Sequence, residues 1–209
     1  MTNLRIVRIT LVLVIVIAST AGVRAQSPEP QKPALPAGAI PARPIEDLAV
    51  KPGWRLYEIG STPTLGVVLP SPPGVTFESV QGQQVNTYIS TNPTGVYAVV
   101  RIDRLLLNLE TAPEDSRSRY FRSFFDAFAA GFQRGLEPTV KDSLALLEVT
   151  QLTTATGHKG FQQRLTLGPM QGRSQMVFVG NSAFALVALW LPDAPAADYD
   201  SFFDSFRLK

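Results

Sequence analysis

The sequence predicts an α+β domain in which helices cover an antiparallel sheet, and three observations predict it. Short apolar runs are separated by tight Gly- and Pro-containing turns, which join successive strands in antiparallel pairs. One central stretch repeats phenylalanine at spacings of three and four, the pattern of a helix with a single apolar face. The run from Phe184 to Leu191, FALVALWL, is apolar at both parities, as a strand covered on both sides would be.

Composition sets the frame. With 209 residues, 45% hydrophobic and 17% charged, the chain suits one compact core plus appendages. Arg5, Arg8 and Arg24 stand in an N-terminal stretch without acids. Removing those three from 19 basic residues leaves 16 against 17 acidic, a net charge of −1. A nearly neutral domain lacks the general attraction to nucleic acid that clustered Lys and Arg provide. The absence of cysteine rules out disulfides, thiolate catalysis, iron-sulfur clusters and a lipid-modified N-terminal cysteine.

Met1 to Arg8 is basic, Ile9 to Ala18 is apolar, and Val23-Arg24-Ala25 offers small residues for cleavage before Gln26. This predicts a signal peptide over 1–25, and hence export to the periplasm or the extracellular space. The apolar run falls short of the about 20 residues that span a bilayer, so no stable transmembrane anchor is expected after cleavage. From Gln26 to Pro44 six prolines block regular structure, which predicts a semi-stiff linker over 26–50 and a globular domain over 51–209.

The folded part is expected from near Gly53. Trp54 to Ile59 and Thr64 to Leu69 read as short strands, and Pro70 to Gly74 (PSPPG) as a loop. Gln84 to Ser90 alternates, and Thr91 to Gly95 turns it into Val96 to Asp103 as a hairpin. In that second strand Val96, Ala98, Val100 and Ile102 share one side, with Tyr97, Val99, Arg101 and Asp103 on the other.

A helix is expected to start near Ala112, with Thr111 and Glu114 as a capping box and Gly135 and Pro138 at its end. Its stripe is Phe121, Phe124, Phe125, Phe128 and Phe132. Fully burying each such side chain stabilises by about 1.5 to 3 kcal/mol, so the stripe should face a sheet. Four strands follow, Ala145 to Ala155, Gly160 to Leu167, Arg173 to Val179 and Phe184 to Leu191, joined by short glycine-bearing turns that make them a meander. Pro192 stops the last strand, and Asp193 is placed to cap a terminal helix carrying Tyr199, Phe202, Phe203 and Phe206. The total is one sheet of about six to eight strands covered by a long Phe-rich helix and a short C-terminal one.

The hairpin GHKGFQQR (157–164), the Gly180-Asn181 turn, the strand ALVALW (185–190) and the ending DYDSFFDSFRL (198–208), together with the aromatic helix, resemble the PsbP-like family of secreted bacterial proteins. The resemblance covers roughly Trp54 to Leu208, and FFDSFRL is its most specific piece. It implies an α/β/α sandwich around an antiparallel sheet. That superfamily includes the extrinsic PsbP proteins of photosystem II, a Ran-GTPase-binding import factor and many bacterial proteins without an assigned role. It supplies no shared catalytic residue, and this chain shows no metal cluster or photosystem-docking segment.

Few residues carry chemistry. His158 is the only histidine and falls in a tight turn, where an imidazole is usually solvated; a hydrolase would need it beside a Ser or Thr and a carboxylate. One His and no Cys do not make a zinc site. Neither phosphate-cradling glycine motif is present, so no cofactor is expected. Arg101, Asp103 and Arg104 gather at a strand end where Glu110 or Asp115 could join them in surface ion pairs. These three and His158 are the candidate ligand or partner surface. Val149 to Pro192 contains no acid but holds Lys159, Arg164 and Arg173, read as a mildly positive sheet edge protected against strand addition.

The functional expectation is an exported, non-catalytic protein that binds or assembles with an envelope protein. The alternatives are a carrier of a small apolar ligand between the Phe helix and the sheet, and an envelope hydrolase working through His158.

Overall fold

The structure, a computed structural model, describes residues 35–60, 62–80, 82–135 and 144–209, without the side chains of 46–50 and 132–135. The expected signal peptide, most of the expected linker, Pro138 and the Phe132 side chain lie outside that description. Among the described residues the fold is α+β, with two mostly antiparallel sheets and two helices.

The larger sheet has seven strands, β4 (Gly74–Val80), β5 (Gln83–Asn92), β6 (Gly95–Asp103), β7 (Leu144–Thr153), β8 (Lys159–Leu167), β9 (Met170–Val179) and β10 (Ser182–Trp190). Their order is β4-β5-β6-β10-β9-β8-β7, so β10 is the central strand. Two meanders, β4 to β6 and β7 to β10, meet where β10 pairs β6, with Phe184 opposite Arg101 and Leu186 opposite Val99. The helix α1 (Glu114–Gly135) connects the two meanders.

Each face of β10 enters a different core. Ala183, Ala185, Val187 and Leu189 pack with Phe121, Phe124, Phe125 and Phe128 of α1, and with Phe161, Leu165, Met176 and Phe178 of β8 and β9. Phe184, Leu186 and Ala188 pack on the other side with Trp54, Tyr57, Val67, Leu69 and the terminal helix residues Phe202 and Phe203. Tyr97 stands between the Trp54 ring at 5.2 Å and the Phe202 ring at 5.3 Å, both edge-on.

Several expectations need correction. The strands β2 (Trp54–Ile59) and β3 (Leu65–Leu69) do not extend the main sheet; with β1 (Ala42–Lys51) and β11 (Arg207–Leu208) they form a second sheet, β1-β2-β3-β11. The second face is therefore covered jointly by this small sheet and by α2 (Ala196–Asp204), because Val67, Leu69 and Phe203 share one apolar cluster. The ordered domain also begins earlier than residue 51. Prolines at 41 and 44 do not prevent β1 from pairing β2 as an edge strand, and the Ile40 amide and carbonyl are bonded to Asn86 Oδ1 and Tyr88 Oη. The strand β4 was not legible because its side chains are mostly half-exposed, which leaves little apolar contrast.

The capping box does not form. The Thr111 hydroxyl donates to the Asn108 carbonyl at 3.4 Å, and Glu114 accepts from Gln151 Nε2 at 2.6 Å, tying the helix start to β7. In α2 the N-cap is Pro195 with no side-chain cap, not Asp193, and Phe206 lies past the helix end. The chain then turns into β11, where Thr64 and Lys209 exchange two backbone hydrogen bonds. Edge strand β7 carries a bulge between Leu146 and Val149, which with Glu148 blunts it against pairing with another chain.

Candidate functional site

Two polar regions lie on the face of the large sheet that α2 and the small sheet share. The first is a knot at the end of β6. Arg101 is only 4% exposed, so it belongs to the interior and not to the surface that its alternation with acids suggested. Its Nε donates to Asp103 Oδ2 at 2.7 Å, Nη1 to the Pro63 carbonyl at 2.9 Å and Nη2 to the Thr62 carbonyl at 3.4 Å. The guanidinium lies over the Phe184 ring. Gly60, with φ +88°, leaves the room for it, since a Cβ there would collide with Nη1. The Ser182 hydroxyl donates to Asp103 Oδ1 at 2.7 Å. Arg101 and Asp103 thus bind the β2–β3 loop and the start of β10 to β6, and their charges compensate each other.

Glu110 completes this end of the molecule. One carboxylate oxygen lies 3.1 Å from His158 Nδ1 and the other accepts from the Gly180 amide at 2.8 Å. The imidazole is therefore held between the β7–β8 turn, the loop before α1 and the β9–β10 turn, where the sequence pattern suggested a solvated tip. Ser182 and His158 are bonded to different carboxylates. Arg104 is exposed at φ +62°, next to exposed Leu106 and Leu107. Of the four candidate residues, the structure joins Arg101 to Asp103, sends His158 to Glu110 and leaves Arg104 outside the knot. No group of three or more metal-ligating side chains occurs among the described residues.

The second region is the part of this face formed by β7, β8 and β9. Of these strands Val179 packs against the second-face core, Val177 is buried on the same side, and Arg173 reaches the Phe203 ring. Beyond the two valines the register places Gln162 opposite Gln175, Arg164 opposite Arg173 and Thr166 opposite Gln171. Gln175 Nε2 donates to Gln162 Oε1 at 3.4 Å. Arg164 and Gln171 are exposed, and Arg173 is half-buried with its guanidinium 3.9 Å from the Phe203 ring centre. Burial against α2 pulls Arg173 down from the ordinary arginine range, opposed by the carboxylates of Asp200 and Asp204 and by Tyr199. Among the described residues neither arginine forms an ion pair, and Arg173 Nε has no hydrogen-bond partner. Trp190 and Tyr199, stacked at 4.1 Å, border this surface.

Arg164 and Arg173 had been visible only as charges in an acid-poor stretch. The structure puts them side by side across adjacent strands inside the sheet, and Lys159, of the other parity, on the opposite side. Like charges in such positions repel. The signal that could have found them was the equal distance of each from the turn at 168–169, which fixes the hairpin register.

No family model matches the chain, and no curated protein matches it significantly. Among the described residues no helix is long and apolar enough to cross a membrane.

Proposed function

We propose that the protein is an exported, non-catalytic component of the cell envelope that acts by binding or assembly through a surface, on an α/β/α framework of the PsbP-like type. The observation that carries this reading is the polar surface of β8 and β9 beside α2, with Gln162, Arg164, Gln171, Arg173 and Gln175 on one side of the sheet. It is donor-rich and bordered by Trp190, Tyr199 and Phe203. Arginine and large aromatics are the residue types enriched where proteins meet. The framework is drawn from the seven-stranded sheet, with the Phe-rich helix on one face and α2 together with the small sheet on the other.

Photo-crosslinking groups placed one at a time over the surface, in cells that make the protein, test it. A defined adduct from one face is expected. Absence of any adduct, together with turnover of a substrate by the purified protein, would end the reading.

A carrier of a small apolar ligand is the second reading. Gln163 Nε2, Ser174 Oγ and Tyr120 Oη are buried on the α1 side without partners among the described residues, and Gln163 and Ser174 are directly opposite each other. A mainly apolar guest with one carbonyl or hydroxyl would satisfy them. Native mass spectrometry of detergent-free protein should then show a bound mass; a bare chain would remove this reading.

A further inference from the structure

We infer that the open face of β7, β8 and β9 receives an acidic segment of another protein, its carboxylates seated on Arg164 and Arg173. This rests on the surface-binding reading above and specifies its partner. A cross-strand pair of arginines opposes folding unless something anionic compensates it, and no carboxylate among the described residues does so at ion-pair distance. The Arg173 guanidinium is already partly stripped of water by Phe203, so a carboxylate reaching it meets little further desolvation of that cation. Guanidinium forks match carboxylates in two-point geometry, and Gln171 beside the pair offers an amide donor to a peptide carbonyl.

The neighbouring charges favour a protein segment over a polyanion. Asp200 and Asp204 lie on α2 near Arg173 and would repel a uniform row of phosphates. A segment with separated carboxylates places them on the two arginines and can set neutral or basic residues against α2. The stacked Trp190 and Tyr199 rings give its apolar side chains a border to rest on.

The test is a fluorescence-anisotropy titration of the full chain with a labelled peptide of alternating Glu and Thr at low salt. The matching Gln and Thr peptide and a single-stranded oligodeoxynucleotide serve as comparators. The Glu peptide should bind about tenfold or more tightly than the Gln peptide, and Arg164→Glu should remove that preference while Arg164→Lys retains part of it. Arg164 is exposed, so these variants should fold as the parent does, which circular dichroism checks. Equal binding of the two peptides, an unchanged preference in Arg164→Glu, or equal or tighter binding of the oligonucleotide would each overturn the inference. If crosslinks from another face capture a partner while the peptide preference is missing, this face loses its role and the binding reading stands. Substrate turnover with the preference intact would do the reverse.

Discussion

Arg101 and Arg173 stand on the same face of the same sheet, one on β6 and the other on β9, and their surroundings differ in kind. Arg101 is enclosed, with a carboxylate and two carbonyls taking its hydrogen bonds. Arg173 rests on Phe203 with Nε unpartnered, next to a second arginine and an open surface. A buried cation with each of its three nitrogens hydrogen-bonded fixes the fold. One that is half-dehydrated and unpaired leaves interaction energy available to a partner.

The largest effects should come from breaking the enclosed side. Arg101→Met leaves Asp103 without its counter-charge and frees the β2–β3 loop, and should cost about 3 to 5 kcal/mol in denaturant unfolding. Replacing Asp103 as well, by Leu, should recover part of that loss, because no charge is then left stranded. Phe203→Ala should cost a similar about 3 to 5 kcal/mol, since this ring is 5% exposed and closes the second core. A loss below about 1 kcal/mol would make α2 peripheral and reopen its aromatics as a docking surface.

Gly60→Ala comes next, at roughly 1 to 3 kcal/mol, from a strained positive φ and from displacing the Arg101 guanidinium. Unfolding of the double variant Gly60→Ala with Arg101→Met, where only the strain remains, separates the two causes.

Alkaline pH should also weaken the fold. Burial, with Asp198 adding to it, pushes Tyr97 up to about 12, and burial raises Tyr88 and Tyr120 as well. Unfolded tyrosines ionise near about 10, so above that pH the unfolded chain has lost protons that the native chain keeps. Stability is therefore full below pH about 10 and falls toward 12. Tyr97→Phe should flatten this decline in melts recorded across that range. The smallest effect on stability belongs to Arg164→Glu, within about 0.5 kcal/mol. It is also the variant expected to abolish the peptide preference, which separates the two arginine environments most cleanly.

Much of the fold could be read in the residues. The Phe121 to Phe128 stripe and the two-sided apolar strand could be satisfied only by a helix on one face and a second layer on the other, and both layers are present. The candidate site was less legible. Asp103 and Arg101 were visible as neighbours in alternation, but their burial depends on a loop 38 residues upstream, at Pro63. Glu110 and His158 lie 48 residues apart and meet only because three turns converge at one end of the sheet.

The sequence by itself determined most strands of the main sheet, both helices and their apolar faces, because periodicity and turn chemistry act within a few residues. Tertiary structure alone decided that β2 and β3 leave the main sheet for a second one. It also decided that Arg101 is sealed in while Arg164 and Arg173 face each other in the open. Those outcomes depend on which strands pair and which layer covers them, and long-range pairing is chosen by the fit of whole surfaces.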